Sequence, residues 1–262
     1  MISSSTLGRL FFSLALVASG ILQLATGEFV RLVPQLPAWV PEHSFLAYLV
    51  GVILILAGAA IGFGRGALGA AVVVGAMLVL VLACLQIPKA LTDPRSGFMW
   101  TNPFKALALL GGLIVLANTV LANSLPEIGA PSGLARLFRR LAPLGPLFFS
   151  AFLILGGIQH FVYVDFVMKL VPEWIPGSRY WAYFTGLALV AGGVGILVPR
   201  MSRLAATMVG IMILLWVVLL HIPRAIGLHS AAETAAIFEA LAMSGVAFLL
   251  ADRERGLPRV TP

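Results

Sequence analysis

Eight stretches of about twenty residues, each nearly free of charge, limit what this chain can fold into. They run approximately over 7–27, 44–63, 67–87, 104–124, 146–166, 180–198, 202–222 and 231–250. As helices they are long enough to cross about 30 Å of hydrocarbon. No water satisfies the backbone inside a bilayer, so a spanning segment must close its own hydrogen bonds, as an α-helix does. Composition points the same way. The chain is 60% apolar and 10% charged, with a mean hydropathy of +1.04, whereas soluble domains carry roughly 25% charge. Too few polar residues exist to coat a soluble core of 262 residues. The expected fold is all-α, a polytopic membrane protein with eight transmembrane helices embedded in a lipid bilayer. Glycines within the spans, as in GVILILAGAAIGFG and GLALVAGGVGILVP, suit close helix packing.

The chain is also duplicated. HFVYVDFVMKLVPEWIPGSRYW at 160–181 has a partner in QLATGEFVRLVPQLPAWVPEHSF at 23–45, and LHIPR at 220–224 has one in LQIPK at 85–89. Gly20 aligns with Gly157 at an offset of 137, while Trp39, Pro41, Tyr48, Gly51 and Pro88 align with Trp174, Pro176, Tyr183, Gly186 and Pro223 at 135. Residues 10–21 match the internal residues 147–158, so the first span reads as a retained helix and not a signal peptide. A repeat of four spans enters the membrane from the same side each time, which makes the copies parallel repeats. Two four-helix bundles are expected, over 1–126 and 143–251. A basic linker at 127–142 joins them, and a tail follows at 252–262.

Loop charge sets the expected orientation. The side holding both termini collects Arg9, Arg65, Arg136, Arg139, Arg140, Arg200, Arg203, Arg253, Arg255 and Arg259. The other side collects Arg31, Lys89, Arg95, Lys105, Lys169, Arg179 and Arg224. Bases favour the cytoplasm, so both termini are placed there. This distribution accounts for the net charge of +7. No basic helix or aromatic-interleaved patch suggests nucleic acid. Cys84 is the sole cysteine and sits in an apolar run, which excludes an internal disulfide and CxxC redox chemistry.

Ionisable groups in hydrocarbon are costly, so each is a candidate site. Counting 1.5 Å per residue places His160 about 10 Å and Glu239 about 12 Å below the outer boundary. First and last helices of a bundle can be neighbours, so the expected contact is a His160–Glu239 pair. His221, His229, Glu233, Asp165 and Tyr163 gather near the same rim in this reading. Nitrogen and oxygen donors of that kind suit a divalent metal, although no ligand spacing specifies one. At the aligned positions the first unit has Gln23 for His160, Gln86 for His221 and Glu28 for Asp165, and it has Leu110 or Gly111 where the second has Glu239. The candidate ligand or proton-handling residues are therefore His160, Asp165, His221, Glu233 and Glu239, all in the second unit. No serine elbow, GxGxxG motif or Walker lysine is present, and no cofactor can be named.

GGIQHFVYVDFVMKLVPEWIPGSRYWAYFTG at 156–186, then Pro199-Arg200 and HIPR at 221–224, resembles the DoxX-like family of bacterial membrane proteins. That family is built from four-helix units, and this chain resembles two of them fused. The likeness is clearest at His160, Phe161, Pro172, Trp174, Pro176, Tyr183 and Gly186, whereas Gln23 departs from the histidine in the first unit. Named members have been associated with membrane redox systems, including a thiosulfate:quinone oxidoreductase subunit. The resemblance implies a membrane accessory subunit acting near a quinone pool beside a soluble redox partner. A transporter built on the repeat predicts a cavity between the units at mid-depth. A purely structural protein predicts no cavity larger than a few waters.

Overall fold

The computed structural model describes residues 3–29, 43–128 and 133–253. The first signature loop, with Trp39 and Pro41, lies outside them, as do Arg31, Arg255 and Arg259. The eight expected spans are all present as long helices, and the described residues contain no strand. They are α1 (Ser4–Thr26), α2 (His43–Phe63), α3 (Ala67–Val81), α4 (Gly97–Ile128), α5 (Leu144–Val162), α6 (Ser178–Leu197), α7 (Pro199–Trp216) and α8 (Ala231–Asp252). The chain is an all-helical, multi-pass membrane protein. Part of the linker is more ordered than a loop. Gly133–Leu141 is helical, with Ala135 and Phe138 buried and Arg139 and Arg140 exposed. An apolar residue every third position is enough to lay one turn against the bundle.

Two of the helices are widened at the same place. A π-turn over Leu82–Gln86 continues α3 into Ile87–Leu91, and another over Val217–His221 continues α7 into Ile222–Leu228. In each, an amide reaches back five residues, Ile87 to Leu82 and Ile222 to Val217. Pro88 and Pro223 follow one residue later. Proline has no N–H, and its ring crowds the carbonyl four residues back. The wider turn relieves that crowding without ending the helix.

The helices form a closed ring of neighbours in chain order, with α4 and α8 also touching across the centre. In the stretches that define the spans, 72% of α8 and 56% of α4 are buried, against 22% of α3. The two bundles are thus not closed within themselves. α1 packs most extensively on α8, and α4 packs on α5, while α5 meets α8 only slightly. Each copy is closed by the fourth helix of the other.

The contacts that close the two copies are equivalent. A Cβ placed on Gly8 would lie 2.6 Å from the carbonyl oxygen of Gly245, and one placed on Gly111 would lie 2.6 Å from that of Gly145. Both distances are shorter than any side chain tolerates, so the backbones cross where only glycine fits. Gly8 corresponds to Gly145 in the repeat, so Gly111 corresponds to Gly245, at an offset of 134. The same offset relates Asn118 to Asp252. The Asn118 amide donates to the Phe138 carbonyl, 2.9 Å away, ahead of α5. The Asp252 carboxylate accepts from the Ser5 amide at 3.2 Å, at the start of α1. Each fourth helix therefore fastens the head of the other copy's first helix.

Candidate functional site

Lys105 and Glu239 meet at the centre of this exchange. Lys105 Nζ donates to Glu239 Oε2 at 2.8 Å, and the side chains are 20% and 12% exposed. Each residue lies about 12 Å from the start of its helix, Gly97 or Ala231. The glycine correspondence makes them equivalent positions of the two copies. A residue close to a pseudo-two-fold axis faces its own counterpart, and like charges there would repel. Opposite charges turn the same geometry into an ion pair between α4 and α8.

This corrects two expectations. The residue aligned with Glu239 is Lys105, not Leu110 or Gly111. Glu239 also does not pair with His160, because α8 lies against α1, α7 and α4 more than against α5. His160 Nδ1 instead lies 2.7 Å from the Gly156 carbonyl on its own helix, and its ring stacks on Trp216 of α7 with centroids 6.2 Å apart. Lys105 was legible as a lysine within an apolar stretch. Starting the fourth span near residue 104 made it look interfacial, but α4 begins at Gly97 and carries Lys105 two turns inward.

The remaining candidates are spread out. Asp165, in the short helix Val164–Met168, reaches Arg179 at 3.7 Å, and both side chains are largely exposed. Glu233 accepts from Arg224 through both carboxylate oxygens, each at 3.3 Å. His221 closes the second π-turn with its Nδ1 buried. His229 is exposed in the left-handed region, φ 48°, where it ends the helix after that turn. Among the described residues no three of His, Cys, Asp and Glu gather as a metal ion requires. Tyr163 serves packing: its hydroxyl accepts from the Gly97 amide at 2.9 Å, and its ring stacks on Phe98 at 3.9 Å. Gln159 reinforces this joint by donating to the Gly97 carbonyl at 2.7 Å.

The end of the bundle opposite the termini differs between copies. In the second, Arg224 just past the π-turn pairs with Glu233 at the start of α8. At the corresponding positions the first copy has Lys89 and Met99, which cannot pair. A cleft of about 250 Å³ opens there, lined by Gln86, Lys89, Phe98, Met99, Asn102 and Pro103. Gln86 is 2% exposed because the π-turn rotates it inward. The lining thus joins two amides and an ammonium to an aromatic ring and a thioether. Sequence reasoning placed titratable chemistry in the second copy and passed over Lys89, Met99 and Asn102. Their signal was the missing acid at the position corresponding to Glu233.

Among the described residues, fold and site define a duplicated membrane protein of eight long apolar helices, with a cleft of mixed polar and apolar lining at one end of its first half. A family described as a domain of unknown function (DUF8561) matches residues 149–230, which span most of α5 through α7. No curated protein and no solved structure matches the chain.

Proposed function

We propose that this chain is a non-catalytic membrane subunit that holds a lipophilic small molecule by a polar head group. The observation that carries the reading is the cleft beside Lys89 and Asn102, at the place where the other copy has the Arg224–Glu233 ion pair. The Asn102 amide beside Lys89 suits a carbonyl or carboxylate oxygen, as a quinone-like ligand offers. Membership of a redox-associated assembly, with a soluble redox partner, follows from the resemblance to the DoxX-like family over 156–186. The excess of bases on the terminus-bearing side supports cytoplasmic termini, and the resemblance to a family of bacterial membrane proteins supports a bacterial inner membrane. On that orientation the cleft faces the outer leaflet. A transporter reading draws no support from the centre of the molecule, where Leu113, Leu116, Val246 and Ala247 are at most 2% exposed.

The test is mass spectrometry of small molecules retained by the purified protein. A bound species should be present in wild type and absent from Asn102→Phe, which fills the cleft, and should be weakened by Lys89→Ala. Identical spectra from all three proteins would leave the chain a structural component without a ligand.

A further inference from the structure

A second cleft, of about 490 Å³, lies at the opposite end of the first half, lined by Ala59, Ala60, Phe63 and Arg65. Its walls are the last turn of α2 and the tight turn into α3. Gly64 in that turn has φ 75°, and a Cβ on it would lie 3.5 Å from Nη1 of Arg9. Arg9 of α1 therefore reaches the residue next to Arg65. Nε of Arg9 is buried, and nothing among the described residues accepts a hydrogen bond from it. Arg9 thus lies in the second turn of α1, next to the turn that holds Arg65, with one guanidinium donor that no acceptor among the described residues receives. Phe63 is 84% exposed and Leu56, about two turns earlier on the same helix, is 64% exposed. The small Ala59 and Ala60 leave a recess between these apolar side chains.

We propose that this corner binds an anionic phospholipid, with its phosphate on Arg9 and Arg65 and an acyl chain along Ala59, Ala60 and Phe63. Arginine suits phosphate because its planar fork offers paired donors. Basic recesses between helices at a membrane face are a recurrent way of holding such head groups. The α2 end of the cleft lies where acyl chains run, so a phosphate carried on an amphiphile fits both halves of the site better than free phosphate does. The second half supplies an internal control. Its equivalent turn retains Arg200, but Pro146 stands at the position of Arg9, and the guanidinium that does reach this turn, that of Arg253, already donates to the Ile196 carbonyl and the Ser202 hydroxyl.

The full-length protein, exchanged into vesicles of equal phosphatidylglycerol and phosphatidylcholine and re-extracted, is weighed intact by native mass spectrometry. Wild type should retain phosphatidylglycerol in preference to phosphatidylcholine. Arg9→Gln and Arg65→Gln should each lower that retention about fivefold, the effect of one basic residue at a charged surface. Arg200→Gln should leave it unchanged. Because Arg65 is exposed, Arg65→Gln reports on binding even if Arg9→Gln impairs folding. Equal retention of the two lipids, or equal losses from Arg65→Gln and Arg200→Gln, would overturn the proposal. So would inorganic phosphate binding to the detergent-solubilised protein without any lipid preference.

Discussion

At the end of the bundle opposite the termini, the first half places Gln86, Lys89 and Met99 where the second places His221, Arg224 and Glu233. The scaffold beneath them is the same. Both halves widen their third helix by a π-turn ahead of a proline, and both cross a fourth helix over a first at a glycine pair. Packing fixes those backbone features, because a side chain at Gly8 or Gly111 would strike a carbonyl. The tips bear no such load. One acid in place of a methionine gives Arg224 an ion-pair partner that Lys89 lacks at Met99. The difference between the halves is therefore one of side chains on a shared frame.

The interface between the halves gives the strongest way to break this comparison. Lys105→Met strands the Glu239 carboxylate in a partly buried site and should cost about 3 kcal/mol in a reversible unfolding assay. Adding Glu239→Leu should recover most of the loss, and so should the charge exchange Lys105→Glu with Glu239→Lys. A double variant as unstable as the single would mean that the two positions are not coupled. The next largest effect concerns the glycine crossings. Gly8→Val and Gly145→Val should each destabilise by about 2 kcal/mol through overpacking, and by similar amounts if the two crossings are equivalent. A large loss at one and none at the other would break the equivalence.

Smaller effects sharpen the contrast at the tips. Met99→Glu gives Lys89 the partner that Arg224 already has. On the proposed reading it should displace the small molecule assigned to the first cleft, and it should change stability by no more than about 1 kcal/mol. Retention of that molecule would show that the cleft is not closed by an ion pair. Asp165→Asn should leave both stability and ligand retention unchanged, since its link to Arg179 is long and largely exposed.

The eight spans were legible because a run of apolar residues declares its helix locally, whatever the helix packs against. The duplication was legible for a similar reason: Trp, Pro and Gly at matched offsets need no three-dimensional context. His160, Asp165, His221, Glu233 and Glu239 could be named as ionisable groups, but not joined correctly. Ion pairs link spans far apart in the chain, and their partners depend on which helices touch.

Tertiary structure alone decided that exchange. In a duplicated chain the surface that α1 offers to a fourth helix suits either copy, since Gly111 and Gly245 are the same position twice. Pattern and periodicity cannot choose between two equivalent partners. Joined as one fold, α1 takes α8, α5 takes α4, and the central helices meet at Lys105 and Glu239. There the two copies differ by charge, and the difference becomes a contact.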